Sequence, residues 1–166
     1  MAVTTYQRAI EIMQTTPAVL RASVTGLPAE ALERAPAEGQ WSVRDVLAHM
    51  VQAEAGTIGP RIQSMLDQPG APLPRPNPVE VPATPRAMFD LWDAARQRNL
   101  ELFRSVRPEQ LDQTGQHARY GAVSLGEHVV EWAYHDLDHL RQMLAALQAE
   151  LYPEIPTFHN LYPSPV

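Results

Sequence analysis

The chain has 166 residues, 45% of them apolar, so one domain of ordinary size with a real core is expected. It has no cysteine, which excludes disulfide scaffolds, thiolate nucleophiles, iron–sulfur clusters and cysteine zinc sites. A net charge of −6 and a pI near 5.4, with no basic run, argue against a nucleic-acid partner.

Four long segments read as helices between Pro- and Gly-marked breaks. The first runs from about Thr4 to Gly26, with Ile10, Met13, Leu20 and Val24 at rough helical spacing and Pro17 expected to kink or split it. The second runs from about Ser42 to Asp67, opened by Ser42 and Asp45 in a capping-box pattern. As one rod it would span ~37 Å at 1.5 Å per residue. Gln68 to Ala83 is rich in proline, so a helix cannot persist there. An extended crossover at about 3.1 Å per residue would cover ~50 Å and join two helices that run in the same direction.

The third helix begins with Thr84 as N-cap and Pro85 at its first position, and ends at Arg107-Pro108. Ser124 and Glu127 open the fourth, which fades near Leu151. A Pro-bearing tail, residues 152–166, follows and is expected to pack across the bundle, meet a dimer partner or stay loose. Strands are expected to be minor or absent. The fold class is therefore all-α, a single four-helix bundle. No apolar run approaches the ~20 residues of a bilayer span. The start, Met1 to Tyr6, lacks a signal-peptide pattern, so a cytoplasmic protein without a membrane partner is expected.

The chemistry lies in the histidines. His135 and His139 sit at i and i+4, on one face of the fourth helix, where two imidazoles can converge on one metal. His128 shares that face. His49 lies in the apolar context of the second helix. Three histidines from two helices match the number and type of ligand in open catalytic zinc sites. All-imidazole ligation also suits nickel, iron and manganese, so zinc or nickel leads and the others stay open.

Trp41-Ser42-Val43-Arg44-Asp45-Val46-Leu47-Ala48-His49-Met50 resembles the W-S-x-x-[DE]-[VIL]-[VIL]-x-H-[LM] segment of the DinB/YfiT-like superfamily. His135 to Met143 resembles its second segment, H-x-x-x-H-x-x-Q-[ILM]. The similarity in helix order spans about Tyr6 to Gln148. It implies an up-down-down-up bundle, a divalent metal held by His49, His135 and His139, Gln142 orienting a ligand or water, and a homodimer. It also implies a small-molecule substrate. Activities in the superfamily include thiol-S-transferases, mycothiol-dependent isomerases and proteins taken to be hydrolases, so a low-molecular-weight thiol enters as a candidate cofactor.

His128 reads as a fourth ligand, a general base or a polar residue of the first turn. Glu131 is placed to accept the other N–H of His135 or to be solvated; Asp45 stands in the same relation to His49 unless the cap holds it. Asp136 and Asp138 read as solvated charges. Trp41, Trp92 and Trp132 read as core or interface packing, and nothing argues for His117 or His159. The expected function is a metal-dependent hydrolase or thiol transferase; the alternative is a non-catalytic, stress-associated bundle braced by a structural metal.

Overall fold

A computed structural model describes residues 2–165. Helix α1 (Val3–Val24) is followed by a short α2 (Ala29–Glu33), α3 (Val43–Ala53), a π turn (Glu54–Ile58), α4 (Gly59–Asp67), α5 (Pro85–Ser105), a hairpin of β1 (Thr114–His117) and β2 (Gly121–Ser124), and α6 (Leu125–Leu151). Local chemistry explains most of these ends. Ser42 and Asp45 close a reciprocal capping box on α3. Thr84 caps α5 through Ala87 N with Pro85 in the first turn, and Ser124 caps α6 through Glu127 N. The hairpin turns at Gly121, whose φ of 76° favours glycine.

Partners along the helices set their directions. Tyr6 meets Phe103, Met13 meets Arg96 and Arg21 meets Asp93, so α1 and α5 are antiparallel. Glu54 meets Arg96 and Asn99, and Gln63 and Leu102 line one cavity further along, so the α3–α4 rod and α5 run the same way. His49 with His135 and Glu54 with Trp132 make α6 antiparallel to that rod. Residues 68–84 join the two same-direction helices. This segment first pairs with β1, Leu73 N donating to Gln116 O, and then returns along the rod, Asn77 N donating to Gly56 O and Val79 N to Gln52 Oε1. A Cβ on Gly56 would collide with the Asn77 carbonyl, so glycine permits this close approach.

Three features refine the sequence reading. Helix α1 passes through Pro17 without splitting. The second rod is interrupted by the π turn at Glu54, a register shift that periodicity did not reveal. The tail forms turns that pack on themselves, His159 stacking on Tyr152 at 4.0 Å between ring centroids, with Phe158, Leu161 and Tyr162 exposed.

Two apolar clusters fill the bundle, one around Met13, Ile58, Phe103 and Val129, the other around Leu20, Leu47, Trp92 and Met143. Between them lies a buried polar layer of Thr16, Glu54, Arg96, Asn99 and Asp136. Arg96 is the centre. Its Nη2 donates to Glu54 Oε2 at 2.8 Å and to Asp136 Oδ1 at 2.9 Å, and its Nη1 donates to Asp136 Oδ2 and to Met13 O. Pro17 has no N–H for the Met13 carbonyl one turn back, and Arg96 takes up the freed acceptor. Burial works against the Arg96 charge, but the two carboxylates outweigh it and raise its pKa; burial pushes Asp136 up despite Arg96. The expectation that Asp136 is solvated is thus overturned: it faces inward from α6, whereas Asp138 is exposed and pairs with Arg141.

Candidate metal centre

The polar layer ends at the histidines. His49 projects from α3 and His135 and His139 from α6, all partly buried. One ring nitrogen from each lies within 4.8 Å of the others. His49 Nε2 and His135 Nε2 are 3.2 Å apart. Two nitrogens bound to a tetrahedral zinc at ~2.0–2.1 Å would sit ~3.3 Å from each other. A hydrogen bond between neutral rings would also span that gap, but it would not account for the third. His139 Nδ1 lies 2.9 Å from Gln142 Oε1; a carboxamide oxygen only accepts, so the proton is on Nδ1 and Nε2 keeps a lone pair.

Burial and neighbouring rings favour the neutral form of His49 and His135. Burial, then His139 and His49, push His135 down to about 4. Burial, then His139, lower His49 as well. Neutral imidazole is the ligating form, so near pH 7 both offer lone pairs without first losing a proton. The donor set fits a divalent cation of borderline softness.

Two tryptophans frame the cluster. Trp132 stacks on His135, ring centroids 4.9 Å apart and planes 15° apart, and its indole N–H donates to Glu54 Oε2 at 3.0 Å. His135 Nδ1 is buried without a hydrogen-bond partner among the described residues, so stacking on Trp132 and the Nε2 approach to His49 orient that ring. Trp41, just before the cap of α3 and 41% exposed, stacks on His139 at 6.0 Å and tilts against His49 at 5.0 Å. Open cavities of about 610 and 640 Å³ lie elsewhere, lined by residues such as Arg21 and Phe89 or Tyr6 and Phe103, and no histidine borders either.

Residues 12–143 match the DinB superfamily. The chain belongs to the DinB superfamily. A relative from Oceanobacillus iheyensis, carrying the provisional name of metal-dependent hydrolase, is 25% identical across 75% of each chain. The solved structure of YfiT from Bacillus subtilis, described as a "probable metal-dependent hydrolase with an unusual four-helix bundle topology", aligns over 89% of both chains with a TM-score of 0.80 and 17% identity. At that identity the likeness speaks for the fold.

Within this DinB bundle the other sequence candidates separate. Gln142 touches His139. Asp45 is committed to the α3 cap and does not reach His49. His128 is buried in the first turn of α6; its Nδ1 lies 3.5 Å from Glu131 Oε2, its Nε2 has no hydrogen-bond partner among the described residues, and it stands outside the three-histidine group. Glu131 pairs with His128 rather than with His135 Nδ1. Trp41 and Trp132 pack against the histidines themselves. The sequence reading missed Glu54, Arg96, Asn99 and Asp136. Their spacing carried a signal, because Trp92, Arg96, Asn99 and Phe103 share one helical stripe, as do Val129, Trp132, Asp136 and Met143.

Proposed function

We propose that this protein is a metal-dependent hydrolase of a small substrate, with a divalent metal, zinc or nickel, held by His49, His135 and His139. The observation that carries the reading is the convergence of three imidazoles from two helices, one of them held by Gln142. Among the described residues the group has no fourth His, Asp or Glu, which favours an open catalytic site over a closed structural one. A cation bound there would supply Lewis-acid activation of water near neutral pH. Gln142 holds the His139 proton on Nδ1, away from the cluster. Trp132 fixes the His135 plane, and Trp41 shields one flank from bulk water.

The test is metal content per chain on protein purified without a nickel column. About one metal per chain is expected, lost in His49→Ala, with affinity falling roughly 10–100-fold in Gln142→Ala. Turnover of simple esters and amides without added thiol is expected to follow metal content. No metal in the wild type after addition of zinc, nickel or manganese would overturn the reading; turnover only with a thiol would move it to thiol transfer.

A further inference from the structure

Arg61 of α4 lies beside the crossover and the hairpin, within electrostatic reach of Glu131 but with no carboxylate in direct contact among the described residues. It is half-buried, and among the described residues it forms no ion pair. Its Nε points at Pro74 O at 3.4 Å. The crossover there is tied to the hairpin, Pro72 bridging Gln116 in parallel and Leu73 N donating to Gln116 O at 2.9 Å. The guanidinium is thereby held next to the hairpin tip. Burial lowers its pKa and Glu131 only partly offsets this, so the cation is under-compensated.

The tip carries matching donors. His117 Nδ1 accepts from Arg119 N at 3.2 Å and Tyr120 N at 3.3 Å, so its proton sits on Nε2, a donor held in place by stacking on Tyr120. Burial, then Arg61 and His128, lower the His117 pKa, and the ring is neutral near pH 7. Arg119 lies over the Tyr120 ring and also has no ion pair among the described residues. Glu131, the acidic group of this cluster, belongs to α6 one turn before His135, a rise of ~6 Å.

We propose that Arg61, with His117 and Arg119, forms a subsite for the carboxylate of a small substrate whose reacting group reaches the three-histidine cluster. A planar guanidinium takes a carboxylate through two parallel hydrogen bonds. The Glu131 charge nearby disfavours a group that concentrates two negative charges on one centre, as phosphate does, over a single carboxylate. Span sets the size: Glu131, whose charge Arg61 feels, precedes His135 by one turn of α6, about 6 Å, a gap that a chain of three to five carbons bridges. The direction of the substrate rests on the hydrolase reading above; the subsite itself does not need the metal.

The experiment is therefore done on metal-free protein. Arginine Nε–H signals are followed by NMR during titration with glutarate and with its neutral diamide, for wild type, Arg61→Gln and His117→Ala. Glutarate is expected to shift the Arg61 signal and to bind at least tenfold more weakly in Arg61→Gln and several-fold more weakly in His117→Ala. The diamide is expected not to compete. Equal glutarate affinity in wild type and Arg61→Gln, equal binding of the diamide, or no binding in the millimolar range would overturn the proposal. If Arg61→Gln fails to fold, His117→Ala on the exposed hairpin decides, and unchanged affinity there overturns it. Arg61-dependent glutarate binding in a chain that takes up no zinc, nickel or manganese when these are added would sink the hydrolase reading and leave the subsite standing. One metal per chain with Arg61-independent binding would do the reverse.

Discussion

Replacing Arg96 with methionine tests whether the polar layer holds the bundle at the level of the histidines. The variant keeps much of the side-chain volume but strands Glu54, Asp136 and the Met13 carbonyl, all buried partners of the guanidinium. Removing one member of a buried ion pair costs roughly 3–5 kcal/mol. A second route gives the same scale: the stranded pair relieves its repulsion by taking up a proton, and neutralising an ordinary Asp at pH 7 costs about 4 kcal/mol. For a chain of this size that corresponds to a fall of roughly 6–20 °C in Tm. The assay is urea unfolding in chelator, so that metal contributes nothing. At pH 5 the deficit should shrink by over 2 kcal/mol, because the proton is then cheaper by about 1.4 kcal/mol per pH unit. Replacing Glu54, Arg96 and Asp136 together by Gln, Met and Asn should recover at least half the loss, since no charge is left unpaired. A loss below about 1 kcal/mol at pH 7, or no recovery in the triple variant, would refute the reasoning.

Acid should destabilise the metal-free protein in a defined window. The folded pKa of His135 is pushed down to about 4, below the usual imidazole value of 6.5, so the unfolded chain binds more protons between them. That stability is complete above about pH 6.5 and is lost as pH falls towards 4; His135→Gln should flatten the slope, and an unchanged slope in the variant would refute the assignment. Helix α6 exposes Tyr134, Leu137, Leu144 and Leu151 along its outer side. If this stripe seats a second copy, light scattering should give a dimer mass for the wild type and a monomer mass for Leu137→Arg/Leu144→Arg; a monomeric wild type would end that reading.

Much of the site was legible before any coordinates. His135 and His139 are neighbours by helical period alone, and Gln142 follows one of them by a turn, so local geometry was enough. His49 was a candidate by residue type and number, and the resemblance assigned it to the set, because nothing local links residues so far apart in the chain. Its 3.2 Å approach to His135 is a product of helix packing. Glu131 illustrates the limit of spacing arguments: it sits at the right interval from His135, yet its carboxylate turns to His128.

The chain by itself determined its helices and their ends, because caps, prolines and apolar periodicity act within a few residues. Ser42, Thr84 and Ser124 each cap as written. Only the tertiary structure decided which polar residues would be buried. Arg96, Asp136 and Glu54 stand on apolar stripes, where sequence alone allows either a helix edge or a layer through the core. Desolvating such charges is tolerable only when opposite charges from other helices arrive at the same depth. That meeting of α5, α6 and the π turn exists in the packed bundle alone.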